Sequence, residues 1–197
     1  MGKILIVSDK EDKYIWDYFD RERFKDVDFI ISCGDLKASY LEFLVTMLNV
    51  PLFYVHGNHD GNYEQKPPQG CTCIDNKLIK YKGIRILGFG GCNEYRGGPF
   101  QYTQKEMKKQ VSKMKEKIWL NKGFDILVTH APAKGIGDGK DLCHTGFEAY
   151  NELLDKHEPK YHFHGHQHMN YDREKRILQY KSTTIVNAPQ GCKFFHI

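Results

Sequence analysis

The sequence predicts an α/β (α+β) fold, namely a four-layer α-β-β-α sandwich of two mixed β-sheets with helices on the outer faces. Short apolar runs separated by a helical pattern begin the chain, a hairpin pattern lies near its middle, and further strand patterns follow. Such a combination of parallel and antiparallel segments flanked by helices is typical of two sheets packed face to face. The 197 residues, 40% of them hydrophobic, suffice for one well-packed core, so we interpret residues 1–197 as a single domain.

The first part of the chain predicts a β-α-β unit. The runs KILIVS (3–8), DFIIS (28–32) and PLFYV (51–55) are short and mostly apolar, and polar or glycine-containing turns follow them. This pattern is typical of strands that are buried on both faces. The segment ASYLEFLVTMLNV (38–50) lies between the second and third runs and has apolar residues at helical spacing.

The remainder of the chain predicts a change to antiparallel pairing. KLIKYKGIRILGFGG (77–91) contains two strand patterns joined at Lys82 and Gly83, which predicts a hairpin. The later predicted elements are a polar helix at about 103–120, the strand FDILVTH (124–130), a helix at about 145–157, the strand KYHFHGH (160–166), and a second antiparallel set formed by RILQY (176–180), TTIVNA (183–188) and KFFHI (193–197).

Composition and charge exclude several classes of protein. The net charge of +4 is concentrated in KEMKKQVSKMKEK (105–117), which lacks interleaved aromatic residues and is interpreted as a solvated helix face. The six cysteines are scattered, which favours reduced thiols over a disulfide framework. No signal peptide precedes the first strand and no apolar run is long enough to cross a bilayer, so we expect a cytoplasmic protein without membrane association.

Side chains that bind metals follow five of the predicted strands. Each motif alone is weak, because GD and GNHD are also good turn sequences. Their recurrence beyond the carboxyl ends of the strands, where open α/β sheets bind ligands, predicts one shared site. Carboxylate, amide and imidazole groups together suit divalent Mn, Fe or Zn, and they are numerous enough for two ions that share a carboxylate. The residues are Asp9 in VSDKED, Asp35 in SCGDL, Asn58, His59 and Asp60 in VHGNHD, His130 in VTHAP, and His166 with His168 in HGHQH.

The ordered set D-x-(H), GD, GNHD, TH and GHxH resembles the calcineurin-like metallophosphoesterase family, and the resemblance extends from Asp9 to His168. HAPAKGIGDGKDLCHTG (130–146) is also similar to a loop in compact members of that family. The resemblance implies the α-β-β-α sandwich and a phosphoric ester hydrolase with a dinuclear metal centre. Its substrate would be a phosphodiester or a small phosphorylated metabolite, attacked by a hydroxide that bridges the two ions.

The resemblance also implies a role for each residue of the motifs. We expect manganese as the native metal, with iron or zinc as alternatives. His59 would stabilise the phosphoryl oxygens or protonate the leaving group, and Asp60 would orient the His59 ring. The implied ligands are Asp35 as the bridge between both ions, Asp9 and His168 for the first ion, and Asn58, His130 and His166 for the second.

YHFHGHQHMN (161–170) places four histidines at alternate positions, and Gly165 predicts that the strand ends between the two pairs. His166 and His168 would then lie on the loop as ligands. We expect His162 to pack within the sheet and His164 either to pack there or to orient a ligand. His144, in CHTG, could reach the edge of the site, but we favour a structural role at a helix N-terminus that Thr145 caps.

The first motif departs from the family pattern Asp-x-His, because it reads Asp9, Lys10 and Glu11. Glu11 could bind the first ion, which would favour a hard ion such as Mn over Zn, or it could point to solvent and leave the first site incomplete. Lys10 could hold a substrate phosphate as a point charge. Arg96, in CNEYRGGPFQY, could bind a phosphate through two hydrogen bonds or could belong to a polar surface loop.

Two functions therefore remain open. The first is the dinuclear phosphoesterase acting on a small phosphate ester. The second is a catalytically weakened binding module with an incomplete first metal site, which would hold one ion or none. No protein partner is predicted for the enzyme, since no insertion long enough for a docking surface is visible, and nucleic acid is not expected, since a recognised nucleic-acid module is lacking.

Overall fold

Two β-sheets pack face to face in the computed structural model, which describes residues 2–168, 176–188 and 192–196. The strands of the first sheet are β1 (Lys3–Val7), β2 (Val27–Ser32), β3 (Leu52–Tyr54), β4 (Cys71–Cys73) and β13 (Cys192–His196). Their order in space is β13-β1-β2-β3-β4. Every neighbouring pair is parallel except β13 with β1.

The second sheet is larger and is parallel in its centre. Its strands are β5 (Lys77–Tyr81), β6 (Ile84–Phe89), β9 (Ile126–Thr129), β10 (Tyr161–His164), β11 (Ile177–Tyr180) and β12 (Thr183–Asn187). They are ordered β11-β12-β10-β9-β6-β5, with antiparallel pairs only at the two edges. Two short strands, β7 (Cys92–Asn93) and β8 (Gln101–Tyr102), pair with each other outside both sheets.

Four α-helices cover the outer faces of the sheets in the described residues. They are α1 (Lys13–Asp17), α2 (Ala38–Leu48), α3 (Gln104–Leu120) and α4 (Glu148–His157), and short 3-10 helices span Arg21–Phe24 and Gly61–Glu64. The N-terminus of α3 has a capping box, in which Thr103 and Glu106 exchange side-chain and backbone hydrogen bonds. No helix among these is both long and apolar enough to cross a bilayer.

Three apolar layers hold this arrangement together. In β1, Ile4 and Ile6 face the second sheet, whereas Leu5 and Val7 face α1 and α2, as the alternation of a strand requires. A third cluster lies between the second sheet and the helices α3 and α4. The predicted four-layer α-β-β-α sandwich of two mixed sheets is therefore confirmed.

The predicted hairpin at 77–91 and the β-α-β beginning are also confirmed. The expectation of a second antiparallel set at the C-terminus is wrong in part. β11 and β12 do pair antiparallel, but β12 is parallel to β10, and β13 joins the first sheet beside β1. The reason is that β11 precedes β12 and runs in the opposite direction, so the turn after β11 returns the chain in the direction of β10. Ile197 of the predicted strand KFFHI lies outside the described residues.

Arg85 joins β6 to the end of α3 and to the start of β9. Its backbone N and its Nε donate to Asp125 Oδ2 at 2.8 and 3.0 Å, and its Nη1 donates to the carbonyl oxygens of Asn121 and Lys122 at 2.9 and 2.6 Å. These hydrogen bonds and the Arg85 charge lower the pKa of Asp125. A depressed carboxyl pKa in the folded state means that the interaction stabilises the protein at neutral pH.

Leu127→Ala tests the outer core of the second sheet, because Leu127 is 0% exposed. We expect the free energy of unfolding to fall by about 2–5 kcal/mol, from lost apolar burial and the remaining cavity. Leu120→Ala is the matched control, since Leu120 is 64% exposed, and it should change stability by about 0.5 kcal/mol or less. Urea denaturation measures both values, and equal losses would contradict the described packing.

Asp125→Asn tests the link between α3 and the second sheet through its pH dependence. The folded pKa of Asp125 lies below the ordinary value of 3.8, so its contribution is complete above that value and is lost as pH falls further. The wild type should exceed the variant in unfolding free energy at pH 5–7, and this difference should shrink below about pH 4. Urea titrations at several pH values measure it, and a difference that grows on acidification would contradict the assignment.

Candidate metal centre

The carboxyl-terminal ends of strands from both sheets meet at one edge of the sandwich. Asp9 follows β1, Asp35 follows β2, and the segment 58–60 follows β3, while His130 and His166 follow β9 and β10 of the second sheet. Backbone hydrogen bonds connect these strand ends, since Asp9 N donates to Gly34 O at 3.0 Å and Gly165 N donates to His130 O at 2.9 Å. Both sheets therefore contribute side chains to one site.

Three of the candidate ligands have a left-handed backbone conformation. The φ values are 60° for Asp9, 58° for Asp35 and 67° for His166. This conformation is uncommon for residues other than glycine and costs on the order of 1 kcal/mol each. Such backbone strain is often found at functional sites, where the surrounding structure holds it in place.

Two glycines allow the loops after β2 and β3 to approach each other closely. A Cβ on Gly57 would overlap Asp35 Oδ1, and a Cβ on Gly34 would overlap the Gly57 nitrogen. Neither position can accept a side chain. The glycines in GD and GN are therefore required by the contact between these loops.

The residues expected to bind the second ion lie together. Ligand atoms of Asp35, His130 and His166 lie within 4.8 Å of one another. His130 Nε2 is 3.4 Å from Asp35 Oδ2 and 3.1 Å from Asn58 Oδ1. Asn58, His130 and His166 are buried. This compact set of one carboxylate, one amide oxygen and two imidazoles fits a divalent transition metal.

Backbone carbonyls orient both imidazoles. His130 Nδ1 lies 2.7 Å from Cys33 O, and His166 Nε2 lies 2.9 Å from Cys143 O. A carbonyl oxygen only accepts, so these nitrogens carry the hydrogens, and the other nitrogen of each ring retains a lone pair in the neutral form. Histidines that bind metals are typically held in this way.

The protonation states of Asp35, His130 and His166 also favour the binding of a cation. Burial would lower the pKa of His130, but the charge and hydrogen bond of Asp35 outweigh it and raise the pKa to about 9. In the absence of metal, a proton on His130 thus neutralises part of the acidic charge. Burial lowers the pKa of His166 to about 3, so this ring is neutral at physiological pH, as a metal ligand must be. Burial would raise the pKa of Asp35, but His130 holds it below its ordinary value.

Asp60 holds the backbone of the site. Its Oδ2 accepts hydrogen bonds from Gly57 N at 2.7 Å and Asp35 N at 2.9 Å, and Asp35 Oδ1 accepts one from His59 N at 2.8 Å. The Asp60 carboxylate thus bonds to backbone amides, whereas the family resemblance implies that it orients the His59 ring. Burial raises the pKa of Asp60 to about 6. Asp60 and Asp35 therefore fasten the loops after β2 and β3 to each other.

The residues expected to bind the first ion are less compact. His166 N donates to both carboxylate oxygens of Asp9 at 3.0 and 3.1 Å, and His168 Nε2 lies 3.9 Å from Asp9 Oδ1. The side chain of His168 is 50% exposed. Glu11 Oε1 lies 3.4 Å from Lys37 Nζ. Asp9 and Glu11 line the same cavity, so Glu11 faces the site but is paired with a lysine there.

That cavity has a volume of about 400 Å³, and Asp35, His59 and Lys10 also line it. Arg96 is exposed and does not line it. Its neighbour Tyr95 is closer to the site, because Asn58 Nδ2 donates to the Tyr95 hydroxyl at 3.3 Å. This bond fixes the amide so that Asn58 Oδ1 faces His130. Tyr95 belongs to the loop CNEYRGGPFQY, but its hydrogen bond with Asn58 arises only in the folded chain.

The loop after β9 brings His144 and the Cys143 carbonyl oxygen next to His166. His144 Nδ1 lies 2.9 Å from both carboxylate oxygens of Asp141, and its ring centroid is 5.1 Å from that of His166. The expected cap by Thr145 is wrong, because the Thr145 hydroxyl donates to Asp141 O and α4 begins only at Glu148. The glycines of this loop allow it to return over the site.

The two strand histidines are buried beneath the centre. His162 is 0% exposed, and its Nε2 lies 2.8 Å from Thr129 Oγ1, which confirms the expected packing within the sheet. His164 Nδ1 donates to the neighbouring carbonyl of Gly165 at 3.0 Å. Burial lowers the pKa of His164 to about 4, so the ring is neutral. The structure therefore separates this histidine pair from His166 and His168.

A second group with metal-binding side chains supports the segment 57–60. His56 Nδ1 lies 2.7 Å from Asp75 Oδ2 and 3.7 Å from Cys73 Sγ. The His56 ring stacks on Phe100 with centroids 4.2 Å apart. Burial would lower the pKa of His56, but Asp75 and Cys73 raise it to about 10. A protonated imidazole already neutralises this carboxylate, so we interpret the group as a partly buried ion pair that positions the loop.

Residues 3–170 match the calcineurin-like phosphoesterase family. The chain belongs to this family, whose members use divalent metal ions. It is similar to the lariat debranching enzyme of Mus musculus, with 25% identity over an alignment of 227 positions that covers 85% of this chain and 40% of the mouse enzyme. The chain thus spans less than half the length of that relative.

Two solved structures show the same fold. TT1561 of Thermus thermophilus has a TM-score of 0.62 and 16% identity, and the match covers 94% of this chain and 88% of the other. A dimetal phosphatase from Danio rerio has a TM-score of 0.61 and 12% identity, with coverages of 96% and 89%.

Asp60→Ala tests whether Asp60 holds the backbone. The variant leaves the amides of Gly57 and Asp35 without their acceptor, which costs about 1–3 kcal/mol for each buried amide. Asp60→Asn is the matched control, because its amide oxygen can accept both hydrogen bonds. Its loss of unfolding free energy should be less than half of the loss caused by Asp60→Ala. Both are measured by urea unfolding in a chelating buffer. Wild-type stability of Asp60→Ala would show that these bonds do not hold the loops.

Proposed function

We propose that the protein is a metal-dependent phosphoesterase that hydrolyses a phosphodiester or a small phosphorylated metabolite with two divalent ions. The observation that carries the proposal is the convergence of Asp35, Asn58, His130 and His166 at the meeting edges of two sheets. Family membership supports the reaction class. A buried mixed set of oxygen and nitrogen donors has no packing advantage over apolar residues, so its presence favours a metal function.

The chain offers donors for two ions. Asn58, His130 and His166 would hold one ion and Asp9 with His168 the other, with Asp35 shared between them. Glu11 would complete the first set if it exchanged its lysine partner for the ion. Carboxylate-rich donors favour manganese, with iron or zinc as alternatives. Bound ions would supply Lewis acidity toward the phosphoryl group and lower the pKa of a bound water.

The residues around the cavity would bind and orient the ester. Asp35 fixes the backbone of His59, whose exposed imidazole lines the cavity. From there it can donate a hydrogen bond to a phosphoryl oxygen or to the leaving oxygen. Asp60 would act by holding the loop that carries His59. Lys10, at the exposed end of the cavity, would attract the substrate charge.

One observation favours the alternative function, a catalytically weakened binding module. The Glu11–Lys37 ion pair of 3.4 Å and the exposed His168 leave the first ion with fewer close donors than the second. A chain that bound a single ion would lack the charge that two ions provide at the phosphoryl group. The number of ions that the protein retains separates the two functions.

Hydrolysis of bis(p-nitrophenyl) phosphate after loading with Mn, Fe, Co, Ni or Zn tests the enzyme. We expect turnover with at least manganese. His130→Ala should lower kcat/KM by more than about 100-fold, because mutation of residues that only hydrogen-bond to metal ligands already lowers affinity or activity by about 10–100-fold. His196→Ala is the control, because His196 is exposed at the end of β13 and should leave activity unchanged.

Elemental analysis of the manganese-loaded protein completes this test. Two ions per chain together with turnover support the phosphoesterase. One ion or none, with no turnover for any of the five metals, would contradict it and favour the binding module.

A further inference from the structure

We propose that the cavity beside the metal centre is a binding site for a second phosphate group of the substrate. The inference rests on the proposed phosphoesterase function and specifies its substrate class. The substrate would carry a terminal phosphate close to the phosphodiester that is cleaved. Lys13 and Lys37, neither of which belongs to a sequence motif, would recognise that phosphate together with Lys10.

The cavity has an acidic buried end and a basic exposed end. Asp9, Asp35 and Asp60 lie at the buried end, beside the candidate metal ligands. Lys10, Lys13 and Lys37 line the same cavity, and all three are exposed. A substrate with its reacting phosphate at the buried end therefore extends toward three ammonium groups.

The lysines belong to different elements that are fastened to one another. Lys10 lies in the loop after β1, Lys13 begins α1, and Lys37 precedes α2. Asp12 N donates to the hydroxyl of Tyr40, a fully buried residue of α2, at 3.2 Å. Asp12 Oδ1 in turn accepts from Tyr14 N at 2.9 Å and so caps α1. The backbone positions of the three lysines are thus fixed before a substrate binds, which lowers the entropic cost of binding.

Two of the three charges have no acidic partner among the described residues. In the part of the chain that the structure describes, neither Lys10 nor Lys13 forms an ion pair. Lys37 is held 3.4 Å from Glu11, yet its side chain remains 78% exposed. Glu11 thereby keeps Lys37 over the cavity without burying its charge.

The number of lysine charges at the cavity indicates whether the substrate carries one phosphate group or two. A phosphodiester carries a single negative charge, which two divalent ions at the buried end would already neutralise. Among the described residues, Lys10 and Lys13 would then have no counter-charge, and Lys37 would have only Glu11. A terminal phosphate carries about −1.5 to −2 charges at pH 7 and offers three acceptor oxygens, which matches a group of lysines. An internal diester phosphate, with one charge, matches it less well.

The test compares three chromogenic probes that share the same scissile bond. The first is thymidine 5′-(p-nitrophenyl phosphate), the second carries an additional 3′-phosphate, and the third carries a 3′-linked thymidine through a diester phosphate. We expect the manganese-loaded wild type to have a kcat/KM at least about tenfold higher for the second probe than for the first, because charge-assisted hydrogen bonds add to its binding. A preference of the third probe over the second would assign the site to an oligonucleotide backbone instead of a terminal phosphate.

Lys13→Ala combined with Lys37→Ala should reduce the preference for the second probe to about twofold or less. Lys109→Ala combined with Lys113→Ala is the control with the same loss of charge, since both lysines are exposed on α3, and it should retain the preference. Raising the salt concentration from about 50 to 500 mM should weaken the wild-type preference and leave that of the Lys13/Lys37 variant nearly unchanged.

The two possible failures are distinguishable. If all probes are hydrolysed at equal rates by the wild type, the phosphoesterase stands and the second phosphate site is refuted. The same holds if the control pair of lysines removes the preference as strongly as Lys13 and Lys37 do. If no probe is hydrolysed with any metal, the proposed function fails and the inference fails with it.

Discussion

The candidate site depends on the contacts that the Asp35 carboxylate makes with two separate segments of the chain. One oxygen accepts the His59 amide, and the other lies 3.4 Å from His130 Nε2. The Asp35 amide donates to Asp60. One residue therefore joins the loops after β2 and β3 in the first sheet to the end of β9 in the second. Its left-handed backbone is strained, and these bonds keep it in that conformation.

Buried charge explains why this edge of the sandwich favours a cation. Asp9, Asp35 and Asp60 lie close together, and buried like charges are costly unless they are neutralised. A proton on His130 partly neutralises these carboxylates without a metal, and burial raises the pKa of Asp9 and of Asp60. A divalent ion would provide this neutralisation more completely, because it replaces a proton with two charges.

Glu11, the residue at which the first motif departs from the family pattern, lines the cavity together with the acidic residues and the lysines. Glu11 replaces the histidine of the family pattern, and it lies against Lys37 at the cavity wall. A histidine there would offer Lys37 no counter-charge. The substitution thus changes both the donor set for the first ion and the placement of a lysine, so metal preference and substrate choice would be altered together.

The sequence by itself determined the fold class, because hydrophobic periodicity indicates which faces are buried. It also predicted that Asp35, Asn58, His130 and His166 lie together, because ligand-type residues recur at strand ends, and the structure brings these side chains together. Only the tertiary structure decided the pairing of β13 with β1 and the hydrogen bonds of Asp60 to backbone amides. It also decided that Tyr95 contacts Asn58, that the Cys143 carbonyl contacts His166, and that Lys37 pairs with Glu11. These depend on contacts between segments distant in the chain, such as Asn58 with Tyr95. Local pattern carries no record of such contacts, since the same residues would suit an exposed loop equally well.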